Sequence, residues 1–271
     1  MKNLRSCIKD YINESYLNES VWDINESYLN ESVWDIEDNV EDGNDVFAID
    51  EIKKFIKNNY YININRCEIV FNEKRNKYIV NLNGKLGTTF NNKSKHLTND
   101  LFEWGEIEGD FICAYCKNLT SLQGAPEKVG GSFNCSNCSK LESLEGAPEY
   151  VDGTFICEYC SELKSLEGAP KKVGGTFSCC TCPKLESLKG APKEVGGAFK
   201  CMECEKLESL QGAPKTVGGG FNCVGCNKLS SLEGAPKEVG RNFNCVGCSS
   251  LHSLDGIGEV KGRILNNVGS K

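Results

Sequence analysis

The sequence contains almost no histidine, since only His96 and His252 occur among its 271 residues. A catalytic nucleophile needs a base beside it, and histidine most often supplies that base. The sequence also has no phosphate-binding loop, no paired-carboxylate motif and no hydrolase elbow. We therefore expect a protein that is not an enzyme, with no catalytic residues and no cofactor.

Long apolar runs and an excess of basic residues are also lacking. No apolar stretch approaches the ~20 residues of a membrane span, and no secretory leader pattern is recognisable. The net charge is −7; residues 1–50 hold 13 acidic and 3 basic residues, which leaves +3 on the rest. A near-neutral remainder offers no basic track for a nucleic acid. We therefore expect neither a membrane nor a nucleic acid as a partner.

What the sequence does contain is a repeat of 22 residues that runs from Gly109 to Lys261. A strict period of this length predicts a solenoid in which each coil packs only on its neighbours. The period is marked by one phenylalanine per coil, at Phe111, Phe133, Phe155, Phe177, Phe199, Phe221 and Phe243.

Each repeat predicts one short strand and an irregular return. Phe111 and Cys113 are two residues apart and so share one face of a strand. Gly124-Ala125-Pro126 indicates a bend, because glycine allows positive φ and proline fixes φ. Stacked coils would pair their strands in a parallel sheet. The predicted fold class is therefore a mainly β repeat solenoid.

The order Phe-x-Cys-x-x-Cys-x-x-Leu-x-x-Leu, followed by Gly-Ala-Pro-x-x-Val, resembles the leucine-rich repeat family over about residues 97–268. It is most similar to the short bacterial and bacteriophage repeats without a long helix. The resemblance implies that Phe111 and Cys113 point inward and that Cys116 bonds to the backbone of the next coil. Phenylalanine for the first strand leucine, cysteine in the ladder and the 22-residue length depart from the family pattern.

Three regions follow from these patterns. Residues 1–49 form an acidic, flexible arm in which Ile12–Asp23 is repeated letter for letter as Ile24–Asp35. Residues 50–96 form a small α+β cap, with a helix after Asp50 and strands at 67–71 and 77–82. Residues 97–271 form the leucine-rich-repeat-like solenoid, with seven full repeats at 109–261, a capping Trp104 at one end and a last strand at 262–265.

The 17 cysteines include seven C-x-x-C pairs, one in each repeat. Cys113/Cys116 followed by Cys135/Cys138 has the spacing of a four-cysteine zinc site. However, seven pairs cannot all combine two by two, and the phenylalanines and leucines already supply a core. We therefore expect reduced thiols and no metal. A zinc-binding C-x-x-C array is the alternative interpretation.

The acidic arm carries four copies of an aliphatic residue, any residue and a glutamate, followed by serine. These copies resemble the sites cut by head-maturation proteases of large tailed bacteriophages. The resemblance implies a bacteriophage protein in the virion or the host cytoplasm; the alternative is an acidic disordered arm with a slipped duplication. The candidate cleavage sites follow Glu14, Glu19, Glu26 and Glu31.

We interpret the chain as a non-enzymatic, monomeric protein that binds another protein through the concave face of its sheet. Outward positions vary between coils whereas inward positions do not, and aromatic residues are favoured anchors at interfaces. A purely structural spacer is a further alternative, and the sequence does not identify the partner. The candidate binding residues are Ile112, Tyr115, Ile156, Glu158, Tyr159, Cys180 and Met202.

Overall fold

The structure is a computed structural model that describes residues 34–36, 43–72, 74–75, 77–88, 97–98 and 102–268. Residues 34–271 form one compact unit. Within it the chain builds a parallel β-solenoid preceded by one helix and a hairpin, which confirms the predicted fold class. The candidate cleavage sites in the arm lie outside the described residues. No helix in the described part of the chain is long and apolar enough to cross a membrane.

The elements before the solenoid are a short strand, a helix and a hairpin. Strand β1 (Trp34–Ile36) pairs in parallel with β2 (Tyr60–Asn72), and β2 pairs antiparallel with β3 (Lys77–Thr88). Helix α1 (Gly43–Asn59) begins seven residues before Asp50, so the prediction of a helix that starts after Asp50 is wrong about its first residue. Ile49, Ile52 and Ile56 are all buried on one helix face.

The long strand β3 starts both sides of the solenoid. Its first half, Tyr78–Leu82, pairs in parallel with β4 (Phe102–Ile107), and Leu86–Gly87 pair with β5 (Phe111–Ile112). Gly84, with φ of 144°, lies between the two halves. The hairpin therefore packs on the first coil, as the sequence predicts, and covers strands on both of its sides.

Each coil contains two strands of two residues, whereas the sequence predicts one. We call the two stacks the phenylalanine ladder and the valine ladder after their buried residues. After β5, the phenylalanine ladder continues with β7 (Phe133–Asn134), β9 (Phe155–Ile156), β11 (Phe177–Ser178), β13 (Phe199–Lys200), β15 (Phe221–Asn222), β17 (Phe243–Asn244) and β19 (Ile264–Leu265). The valine ladder consists of β6 (Lys128–Val129), β8 (Tyr150–Val151), β10 (Lys172–Val173), β12 (Glu194–Val195), β14 (Thr216–Val217), β16 (Glu238–Val239) and β18 (Glu259–Val260).

The core is a set of continuous columns along the solenoid. The seven repeat phenylalanines are fully buried and stack with ring centroids 5.1–5.3 Å apart and interplanar angles of 3–13°. Aromatic contacts of this kind add to the free energy of burial. The C-x-x-C cysteines and the leucines that follow them are buried in the same way. Strict repetition in the sequence therefore produces identical contacts in every coil.

Two kinds of glycine allow the coils to stack this closely. A Cβ at Gly174 would lie 2.3 Å from the carbonyl oxygen of Asp152 in the preceding coil, so no larger residue fits there. Gly168 has φ of +86°, and its Cβ would lie 2.4 Å from the backbone nitrogen of Glu145. The first glycine is needed for space and the second for both space and conformation.

The two ends of the solenoid differ. At the first coil the indole N–H of Trp104 donates a hydrogen bond to the Leu97 carbonyl oxygen at 2.8 Å, and the ring packs edge-on against Tyr60 and Phe102. Trp104 is 1% exposed and lies in β4, beside the hairpin strand β3. At the other end the predicted last strand is present as β19, paired with β17. Ile264 and Leu265 in this strand are 39% and 38% exposed.

Candidate functional site

A tight turn follows each of the seven phenylalanine-containing strands of the phenylalanine ladder, and the second residue of every such turn has positive φ. The φ value is 62° at Tyr115, 56° at Tyr159 and 54° at Thr181. Residues with a side chain adopt this conformation at a cost of about 1–2 kcal/mol, and it is a clear outlier for a β-branched residue. We call these positions the turn column: Tyr115, Asn137, Tyr159, Thr181, Glu203, Gly225 and Gly247.

The turn column divides the solenoid into two parts. The first five coils have a side chain at this strained position, whereas the last two have Gly225 and Gly247. These glycines are not required for space, because a Cβ at Gly247 would have its nearest neighbour, the Gly225 nitrogen, 3.5 Å away. Glycine at these two positions therefore lowers only the conformational cost of the positive φ. Five consecutive coils therefore keep side chains that fold stability alone does not favour.

Most of the predicted binding residues lie partly or fully in contact with solvent along this surface. Tyr159 is 53% exposed, which makes it the most exposed large apolar side chain in the described part of the chain. Residues one, three and four positions after the repeat phenylalanine form what we call the turn face. Its half-buried members among the predicted residues are Ile112, Tyr115, Ile156, Glu158 and Met202.

Cys180 is the exception, and its prediction as an accessible binding residue is wrong. It is only 4% exposed although strand alternation points it outward. Its Sγ lies 3.4 Å from Ser178 Oγ, and the Ser178 hydroxyl donates to the Glu158 carboxylate at 2.5 Å. Ser178 is itself 3% exposed. The three side chains of neighbouring coils therefore pack together and cover the thiol.

This Glu158–Ser178–Cys180 cluster does not have the electrostatics of a reactive thiol. Burial raises the pKa of Cys180 to about 11, while the hydrogen bond with Ser178 acts in the opposite direction. The nearby Glu158 carboxylate further favours the protonated thiol. Because the thiolate is the nucleophilic form, Cys180 is a weak nucleophile at neutral pH.

The C-x-x-C pairs form two columns of thiols that bond to the backbone of adjacent coils. The second cysteine donates to the preceding coil: Cys138 Sγ lies 3.2 Å from the Cys113 carbonyl oxygen, and the contact recurs every 22 residues. The first cysteine donates to the following coil, as Cys157 Sγ does to the Ser178 carbonyl oxygen at 3.5 Å. The expectation that the second cysteine bonds to the next coil is therefore reversed in direction.

All fifteen cysteines from Cys113 to Cys248 are free thiols. Desolvation raises the pKa of Cys135 and Cys157 well above the ordinary value of 9.0 and that of Cys160 to about 12. Within the described residues, no three His, Cys, Asp or Glu side chains are arranged to hold a metal ion. The buried thiols donate weak hydrogen bonds to backbone carbonyl oxygens, as Cys138 does to Cys113.

The sequence pattern predicted Tyr115 and Tyr159 as binding residues but did not reveal the strain at their positions. The signal was present in the chain, because the identical runs at 221–226 and 243–248 have glycine where the first and third coils have tyrosine. Glycine in some repeats and side chains in others indicates a position with positive φ.

No protein-family model, no curated protein and no solved structure matches this chain.

Proposed function

We propose that the protein is a non-enzymatic binding protein whose protein partner docks on the turn face of the first five coils. The observation that carries this proposal is the turn column, in which five consecutive coils keep strained side chains and the last two have glycine. Strain of this kind is retained where a side chain serves a purpose other than folding.

The side chains on this surface are suited to anchoring a protein. The first and third coils both present an isoleucine and a tyrosine, Ile112 with Tyr115 and Ile156 with Tyr159. The coil between them presents Asn134 instead of isoleucine. The stacked phenylalanine rings below place successive coils 5.2 and 5.1 Å apart, so the two apolar pairs are separated by about 10 Å. Tyrosine combines a large apolar area with a polar tip and is enriched among residues that dominate binding.

The test is affinity capture with a variant that removes both anchors and leaves the turn relaxed. In Tyr115→Gly/Tyr159→Gly the two coils acquire the residue that Gly225 and Gly247 already supply, so the fold is preserved. Tyr150→Ala is the matched control, because Tyr150 is 45% exposed but belongs to the valine ladder. We expect a partner that the wild type and Tyr150→Ala retain to be lost by the double variant. Equal recovery of a partner by the wild type, Tyr150→Ala and the double variant would contradict the proposal and favour a purely structural spacer.

Two finer interpretations of the sequence complete the proposal. We infer kinship with short leucine-rich repeats, supported by an inward phenylalanine and cysteine in each strand and by a second cysteine that bonds to a neighbouring coil. The presence of a second strand in each coil is a departure from the expected one-strand coil. We also infer a bacteriophage protein with a removable leader, acting in the virion or the host cytoplasm; the support is the four glutamate–serine sites of the arm.

A further inference from the structure

The last coil exposes a surface that every other coil covers. The seven phenylalanines of the core column are 0% exposed, whereas Ile264, which takes the next place in that column, is 39% exposed. Among the described strands, β19 pairs only with β17 and β18 only with β16. The first coil has no such surface, because β3 pairs with both β4 and β5. The solenoid therefore has one covered end and one open end.

We propose that this open end binds the same end of a second copy of the chain, with β19 pairing antiparallel to its counterpart across a two-fold axis. The interface continues one that the chain already makes, because each coil binds the next through these same two ladders. A second copy cannot stack head to tail, since its first coil is covered by the hairpin. Only the end-to-end arrangement remains, and it closes after two copies.

The register of the pair follows from which way the side chains of β19 point. Residues opposite each other in antiparallel strands point to the same side of the sheet, and Ile264 is the inward residue, paired with Phe243. A two-fold axis through Ile264 sets the two isoleucines against each other and extends the core column from one copy into the next. The same register puts Leu265 of each copy opposite Arg263 of the other, where the aliphatic part of the arginine can cover it.

Charge opposes the other symmetric arrangement. An axis through the corner between β18 and β19 would bring Lys261 and Arg263 of both copies together at one point. Four cations in one place repel each other. With the axis through Ile264, the two Arg263 side chains lie on opposite sides of the two-fold axis, each opposite a leucine. Only the last coil of each copy contributes to this contact, whereas a standard stable interface buries roughly 800 Å² per partner. We therefore expect a dimer with a dissociation constant in the micromolar range or weaker, in place of the monomer that the sequence suggests.

The experiment is sedimentation velocity of the full chain over a series of protein concentrations, with reductant present. The wild type should shift from monomer to dimer and show no larger species. Ile264→Lys should raise the dissociation constant at least tenfold, because two ammonium groups would face each other at the axis. Val246→Lys is the control: Val246 is 36% exposed one coil earlier and lies on the turn face, so this variant should dimerise like the wild type.

A cross-linking variant checks the register separately. Ile264→Cys places two thiols opposite each other at the axis and should yield a covalent dimer on mild oxidation. Val246→Cys should yield none. Monomer at every concentration, an equal dissociation constant for Ile264→Lys and wild type, or oligomers larger than two would each overturn the proposal. These outcomes do not depend on whether a partner binds the turn face.

Discussion

Cys138 Sγ donates a hydrogen bond to the carbonyl oxygen of Cys113, 3.2 Å away in the preceding coil. The same contact links Cys160 to Cys135 at 3.4 Å and Cys248 to Cys223 at 3.1 Å. Each of these thiols therefore donates a hydrogen bond to a buried backbone carbonyl oxygen of the preceding coil. The cysteines of this protein join coils through hydrogen bonds of the kind that polar ladders make in other solenoids.

The first prediction concerns this bond in the middle of the solenoid. Cys160→Ala should lower the free energy of unfolding by about 1–3 kcal/mol, because it removes a buried donor and leaves the Cys135 carbonyl oxygen without it. Chemical denaturation under reducing conditions measures the change. Cys180→Ala is the control: Cys180 is also buried, but its thiol contacts the Ser178 hydroxyl and should cost less. Unfolding of the wild type by a chelator would instead favour the zinc alternative.

The second prediction is a loss of stability in alkali. Burial raises the pKa of Cys135 and Cys157 well above 9.0 and that of Cys160 to about 12. A thiol with a raised pKa in the folded state stabilises fully below its unfolded pKa, and this contribution is lost as the pH rises toward the folded pKa. The free energy of unfolding should therefore fall between about pH 9 and about pH 12, by up to about 1.36 kcal/mol per pH unit for each such thiol, and the denaturation midpoint should fall with it. A midpoint that stays constant over this range would contradict the burial of the columns.

The repeat made the phenylalanine ladder predictable from the sequence. A phenylalanine every 22 residues, with a cysteine two positions later, requires an inward-facing strand in every coil. The valine ladder was missed because a strand of two residues, such as Lys128–Val129, is too short to show an alternating pattern. The valine ladder forms because the equivalent residues of successive coils lie side by side, and a single repeat of the sequence does not reveal that pairing.

Two other differences have local physical causes. Helix α1 begins at Gly43, and its buried face includes Ile49, one turn before Ile52; the sequence pattern predicted a helix only after Asp50. Cys180 was expected to be accessible because alternation gives only the direction of a side chain. Its actual exposure depends on the Ser178 and Glu158 side chains that pack beside it. The strand pattern predicts the direction in which a side chain points, whereas its exposure to solvent depends on the side chains of neighbouring coils.

The third prediction concerns the acidic arm. If the arm is a removable leader, mature protein should begin after one of Glu14, Glu19, Glu26 or Glu31. Mass spectrometry of protein isolated from its natural source measures the N-terminus directly, and an intact Met1 would contradict the prediction.

The position of the cut matters for stability. A cut after Glu31 keeps Trp34–Ile36, which pair with Cys67–Ile69 as β1 and β2. Deletion of residues 1–35 instead takes two of the three residues of β1. We therefore expect deletion of 1–31 to leave the melting temperature unchanged and deletion of 1–35 to lower it. Equal melting temperatures for the two deletions would show that β1 adds nothing to stability.

The last prediction separates binding from folding at the turn column. Tyr159 has φ of 56°, and glycine at this position removes the strain of that conformation. After the greater chain entropy of glycine in the unfolded state is subtracted, Tyr159→Gly should raise the free energy of unfolding by up to about 1 kcal/mol. Tyr159→Ala is the matched control, because alanine loses the ring but keeps the Cβ and its strain, so no gain is expected. The reverse change, Gly225→Ala, should destabilise by a similar amount without a backbone clash, since its Cβ would lie 3.3 Å from the Glu203 side chain and no closer than 3.9 Å to the Glu203 backbone. Thermal and chemical denaturation measure all three variants. A Tyr159→Gly protein no more stable than Tyr159→Ala would mean that the positive φ costs the fold little, and the turn column would then no longer favour a binding surface at this position.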